Sequence, residues 1–420
     1  MQKMPLIFSD YMVLQRQKPI AVWGKACAGK RIQVRLIKGA SILSEAETAA
    51  NGSGDWALSL PAAEAAHGLR LEVMADGEAM VYHDILVGEV WIAGGQSNME
   101  YSLYFDAEKD VELGKPGNPD IRFFDYPEVS YEGALEASDL SDFGYWRPCR
   151  KEDIPWFSAV GYYFARRLEA DLGIPIGIVG YNWGGTSASC WMDQTYLEGT
   201  PGEIWLKDYQ KGIEGVDLED YHRGYRSDPV NDRSHFIPGD CPQSMYPGLS
   251  REEQLDIMAK GVEQTSKYSN LIGPDHPWRP GGLYHTMLRK VAPYTARGVL
   301  WYQDEADSAY PGIYGQVLTS MIQNWRDLWQ EELPFLLVQL APFEAWMDGT
   351  GKDYPIVREC QEAVANRVPG VYLCSSSDCG MRWDIHPKHK RPIGERLALL
   401  ALGHIYRRDI LCDAPVLCAA

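Results

Sequence analysis

Residues Gly88 to Ser102 read GEVWIAGGQSNMEYS. The apolar run ending in two glycines has the texture of a buried strand that stops abruptly. It delivers Gln96, Ser97 and Asn98 at its end. Taken alone, Ser97 reads as a turn residue or a helix N-cap. The fold depends on whether the rest of the chain repeats this pattern of buried strand followed by polar residues.

It does. IPIGIVGY, GVLWYQ (298–303), LPFLLVQL (333–340) and GVYLCSSS (370–377) are similar near-continuous apolar runs. Such runs mark strands covered on both faces, as in parallel sheets. Between and after them come helical patterns. SAVGYYFARRLEADLG (158–173) carries Val160, Tyr163, Phe164 and Leu168 on one face and stops at Gly173. IYGQVLTSMIQNWRDLWQ lies between two strands, and GERLALLALGHIYRR closes the series. Five buried strands separated by helices predict an α/β fold with a mostly parallel sheet covered on both sides.

Upstream, residues 1–87 read as all-β, with short alternating runs and turn residues between them, suggesting a small sandwich-like domain. Residues 88–410 are then the α/β domain. The segment of about 195–280 fits neither pattern, being acidic, rich in Tyr, Gly and Pro, and partly helical at REEQLDIMAKGVEQ. An insertion of this kind beside a sheet builds a lid, a substrate wall or a surface decoration. Residues 411–420 read as a tail, or as the start of a further β-segment.

Composition narrows the function. Forty basic against 58 acidic residues give a net charge of −18, which argues against nucleic-acid or anionic-membrane partners. No apolar stretch reaches the ~18 residues of a spanning helix. The N-terminus lacks a signal peptide's basic start and cleavage site, so a cytoplasmic location is expected, or a secreted or periplasmic one if a leader has been trimmed. Fourteen Trp and 24 Tyr suit sugar stacking as well as an aromatic core. Nine cysteines, an odd number without paired CxxC spacing, read as reduced thiols and give no zinc motif. The oligomeric state is not legible.

In open α/β sheets, ligands bind beyond the carboxyl ends of the strands. The polar residues at those ends are Gln96, Ser97 and Asn98; Asn182, Gly184, Gly185, Thr186 and Ser187; Gln303, Asp304 and Glu305; and Asp378, then Asp384 and His386. Together they supply a nucleophile, amide and backbone donors, and an Asp–His pair, which are the parts of a serine esterase. GGQSNM is not a GxSxG elbow, because Met99 takes the last glycine's place. Pro387 favours an extended chain before it, which would put Asp384 and His386 on one face. His389 reads as a surface residue. The other histidines, His404 among them, have no comparable acidic partner. Gly184 and Gly185 allow close backbone approach to an oxyanion, to which Gln303 adds an amide. Asp304 and Glu305 leave paired-carboxylate glycosidase chemistry as another reading.

GEVWIAGGQSNME, FSAVGYYFARRL, NWGGTSASCW, GVLWYQDEADS, RECQ (358–361) and DIHPKHKRPIGERLAL occur in an order that resembles the sialate O-acetylesterase family. That family belongs to the SGNH hydrolases and is related to acetylxylan esterases. IFSDYMVLQRQKPIAVWG resembles the β-domain that precedes its catalytic domain. The resemblance implies a three-layer α/β/α, flavodoxin-like sandwich and hydrolysis of acetyl esters on O-acetylated sugars, with no cofactor and no metal. It makes Ser97 the nucleophile, His386 the base, Asp384 the orienting acid, and Gly185 and Gln303 oxyanion donors. Gln96, Asn98, Glu305 and Arg358 become substrate-binding residues. The wider superfamily places its Asp three residues before the His, where this chain has Trp383. The family also usually reads WYQGE, and Asp304 here replaces the glycine. That replacement motivates an alternative, a carbohydrate-binding homologue impaired in catalysis; an acetylxylan rather than a sialate esterase is another.

Overall fold

The computed structural model describes residues 3–75, 77–137, 144–228, 271–346 and 349–415, together with Asn231 and Tyr268. The expected helix REEQLDIMAKGVEQ lies outside them. Strands come first: β1 (Val13–Gln15), β2 (Ile20–Lys25), β3 (Arg31–Lys38), β4 (Ser41–Ala49), β5 (Asp55–Leu60) and β6 (Ala66–Ala75). Then β7 runs unbroken from Glu78 to Gly95. Its first half pairs antiparallel with β6 and parallel with β1, and its second half enters the central sheet. One strand therefore crosses the 87/88 position where composition changes. Buried Glu89 fastens the crossing, accepting from Gln15, Arg16 and Arg297. Three donors on one carboxylate offset the cost of burying its charge.

The central sheet adds β8 (Asn118–Asp125), β9 (Trp146–Cys149), β10 (Ile176–Asn182), β11 (Gly298–Tyr302), β12 (Phe335–Val338) and, after the short hairpin β13 (Ala345–Trp346) and β14 (Gly349–Thr350), β15 (Val371–Cys374). Its order is β15-β12-β11-β7-β10-β8-β9, all parallel except β9 at the edge. The five apolar runs appear as strands; β8 and β9 were not anticipated. Arg122 interrupts the apolar run of β8, and Pro148 in β9 suits only an edge.

Strand side chains alternate between two cores. Trp91, Ala93, Leu300, Tyr302, Leu336 and Val338 join Phe164, Leu168, Ile393 and Leu397, from the helices Ala159–Leu172 and Arg391–Leu400. Val90, Ile92, Val299, Trp301, Phe335 and Leu337 join Val317, Met321, Trp325 and Val364, from the helices Tyr314–Trp329 and Tyr354–Arg367. Helices thus cover both faces, so the polar residues collect at the sheet's carboxyl edge. Among the described residues no helix is long and apolar enough to cross a membrane.

Candidate active site

The end of β7 sets the site. Gly95 has φ +146, and a Cβ there would lie 2.0 Å from the Tyr302 carbonyl oxygen, so only glycine lets β7 and β11 run this close. Gln96 is the N-cap of the short helix Ser97–Glu100, which makes Ser97 its first helical residue. The N–H of that first residue has no preceding carbonyl within the helix to accept from it. The Ser97 hydroxyl is not used as a cap. Ser158 braces this turn, donating to the Met99 carbonyl (2.6 Å) while accepting from Gly161 N as N-cap of its own helix (3.1 Å). That helix ends as the sequence predicts, at Gly173 with φ +66.

Ser97 and His386 lie 289 positions apart, and the structure brings their side chains to 3.0 Å, Oγ to Nε2. Asp384 Oδ1 accepts from His386 Nδ1 at 3.2 Å and from the His386 backbone N–H at 2.8 Å. A carboxylate only accepts, so the imidazole proton sits on Nδ1 and the Nε2 lone pair faces the serine. The expected extended face is corrected here. The chain bends at Ile385 and His386, and the Asp384 side chain closes an Asx-type turn onto its own backbone. Lys388 Nζ holds the other oxygen, Oδ2, at 2.8 Å. Burial opposes the Asp384 charge, but the hydrogen bond from His386 and the Lys388 ammonium hold its pKa below the ordinary carboxyl value. Burial lowers the His386 pKa, and Asp384 recovers only part of that fall. His386 is thereby kept neutral, the form that accepts a proton.

These groups open onto a cleft of about 1000 Å³, lined by Gln96, Ser97, Gly184, Gly185, Glu305 and His386 among others. Gly185 adopts φ +73 under the Trp278 ring, where a Cβ would come within 2.6 Å of Cζ2. Trp278 also donates from Nε1 to the Gly184 carbonyl (3.2 Å). The described part of the 195–280 insertion contributes Trp205, Asp208, Tyr209 and Trp278 to the cleft wall.

Three expected site residues sit differently. Gln303 is fully buried and does not line the cleft. Its amide donates to the Thr186 carbonyl (2.9 Å) and Asp307 Oδ2 (2.6 Å), and Asp307 also accepts from Ala188 N (2.9 Å). Gln303 and Asp307 therefore clamp the Gly184–Gly185 turn from behind. A buried carboxylate outcompetes the cleft for the amide because leaving it unpaired would cost more. Burial raises the Asp307 pKa to about 7. Asn98 is also buried, donating to Glu305 and to the Ile385 carbonyl and accepting from Lys390. Arg358 lies half-buried on the helix Tyr354–Arg367 and does not line the cleft. Glu305 and Gln96 do reach the cleft.

Asp304 points away from it. Tyr314 and Gln361 donate to its two oxygens in the buried layer beneath. Burial pushes its pKa well above the ordinary carboxyl range, and the Glu305 carboxylate adds to that. Its φ of +158 borders a region used mainly by glycine. Asp307 and Lys388 were missed by sequence reasoning. The signal available was their four-residue spacing from Gln303 and Asp384.

A family model described as "Carbohydrate esterase, sialic acid-specific acetylesterase" matches residues 258–402. The mouse (Mus musculus) sialate O-acetylesterase is 25% identical over 444 residues, covering 97% of this chain and 74% of the relative. The human (Homo sapiens) sialate O-acetylesterase is 24% identical over 438 residues, covering 96% and 71%. The crystal structure of a carbohydrate acetylesterase from Xanthomonas citri is similar with a TM-score of 0.69 and 28% identity, covering 99% of this chain and 78% of that one.

Proposed function

We propose that this chain, which belongs to the sialate O-acetylesterase family of carbohydrate esterases and is a carboxylic ester hydrolase, removes acetyl groups from sugar hydroxyls through an acyl-enzyme on Ser97. The carrying observation is the 3.0 Å contact between Ser97 Oγ and Nε2 of His386, whose Nδ1 faces Asp384. Ser97 Oγ attacks the acetyl carbonyl as its proton passes to Nε2. Asp384 holds the ring and stabilises the imidazolium. The oxyanion of the tetrahedral intermediate takes the backbone N–H groups of Ser97 and Gly185; Gln303 serves only to brace that turn. His386 then protonates the departing sugar alcohol. In the second half-reaction it takes a proton from water, which attacks the acetyl group and frees Ser97.

The fold reads as the three-layer SGNH sandwich, with residues 1–87 as a β-rich unit ahead of it. Trp278, Trp205 and Tyr209 supply flat apolar faces for sugar rings, and the cleft's size suits a short oligosaccharide better than a lone acetyl group. Hydrolysis of an aryl acetate tests the chemistry. The expected outcome is turnover that Ser97→Ala abolishes, and equal rates in the two proteins would reject the reading. Acetate release from a panel of acetylated sialic acids and acetylated xylan assigns the substrate.

A further inference from the structure

The helix Arg391–Leu400 continues into a π-helical turn, Ala401–Ile405, and the chain then reverses at Arg407, whose φ is +57. Arg408 N donates to the Leu402 carbonyl at 2.9 Å, folding the following segment back along the turn. Cys412 and Asp413 arrive beside His404 as a result. Neither was a sequence-level partner for that histidine.

We propose that His404, Cys412 and Asp413 bind a zinc ion, which clips the returning segment to the end of this helix. Nε2, Sγ and a carboxylate oxygen lie within 4.8 Å of one another. Sγ is 3.6 Å from Nε2 and 3.6 Å from Asp413 Oδ2. A tetrahedral zinc with ordinary Zn–S and Zn–N bonds holds its sulfur and nitrogen about 3.6 Å apart. Nε2 and Asp413 Oδ1 are 2.7 Å apart, a hydrogen bond that would open to about 3.3 Å around the metal. One thiolate, one imidazole and one carboxylate form a donor set suited to zinc, with water completing four-coordination on the exposed side.

Two features of the surroundings fit a prepared site. A Cβ at Gly403 would fall 2.3 Å from Cys412 Sγ, so the glycine leaves the space the sulfur occupies. Tyr372 stacks on the His404 ring at 4.0 Å and 15°, fixing its direction. A thiol nucleophile fits less well. In a relay the carboxylate and the thiol engage opposite ring nitrogens. Here both approach Nε2, so the three donors converge on one point. On binding, Cys412 gives its proton to solvent and His404 carries its remaining proton on Nδ1.

Cobalt(II) titration of the whole chain, followed by zinc competition, tests this independently of esterase activity. One equivalent of cobalt should produce a thiolate-to-metal charge-transfer band with tetrahedral visible bands, and one equivalent of zinc should remove them. Cys412→Ser should lose the charge-transfer band and His404→Ala should weaken cobalt binding, whereas Cys27→Ser, at an exposed thiol, should change neither. Absence of the band in the unmodified chain at excess cobalt overturns the proposal, and so does its survival in Cys412→Ser.

Discussion

Replacing Asp384 with asparagine probes the geometry most sharply, because the two carboxylate oxygens face donors on both sides. Oδ1 accepts from the His386 ring and backbone, while Oδ2 accepts from the Lys388 ammonium. Asparagine has one acceptor and one donor end, so either orientation fails. With its oxygen towards His386, its NH₂ meets the Lys388 ammonium. Flipped, its NH₂ meets two N–H groups and forces the wrong imidazole tautomer. Loss of the tautomer and of imidazolium stabilisation together predicts a fall in kcat of about 10⁴, equivalent to about 5 kcal/mol of barrier. Breaking a buried ion pair also costs up to ~3–5 kcal/mol of stability. Thermal unfolding must therefore accompany aryl-acetate kinetics, so that the rate refers to folded enzyme. Adding Lys388→Met removes the donor opposite Oδ2 and lets asparagine turn its oxygen towards His386. The double variant should then exceed Asp384→Asn by about tenfold, a coupling typical of residues in contact. A folded Asp384→Asn enzyme losing less than about 10²-fold would refute the assignment.

The remaining expectations rest on single features. His386 acts as a base when neutral and its pKa is lowered by burial, so activity should fail only as pH drops through a value below 6.5; an acid limb of kcat/KM above that would contradict the burial argument. Gly185→Ala should cut kcat by disturbing the turn under Trp278. Gly199→Ala, at φ +68 with no neighbour within 4 Å, carries a similar backbone cost of about 1–2 kcal/mol and should keep full activity. Equal activity in the two would dissociate Gly185 from the oxyanion. Asp304→Gly relaxes the backbone but removes the acceptor of the Tyr314 hydroxyl and of one Gln361 amide hydrogen, the other keeping the Val338 carbonyl, so denaturant unfolding should show a net loss of about 1–3 kcal/mol. Aryl-acetate turnover per folded molecule should persist, and its collapse would put Asp304 in the chemistry.

Sequence by itself determined what depends on near neighbours along the chain. The five apolar runs became central strands because continuous hydrophobicity reports burial on both faces. The helix Ala159–Leu172 began at a serine cap and ended at a left-handed glycine because those requirements are local. Ser97 was legible as a polar residue just beyond a strand end and His386 as one in the loop after another, and the motif order carried the family. Tertiary structure alone decided which partner each buried polar group took. Gln303 turned to Asp307 and Thr186, and Asn98 to Glu305, Ile385 and Lys390, because a desolvated polar group pairs with whatever packing brings within about 3 Å. The same cause moved Asp304 away from the cleft and brought His404 to Cys412 and Asp413. Spacing along a chain encodes which face a residue occupies; competition among polar atoms is settled only where the elements meet.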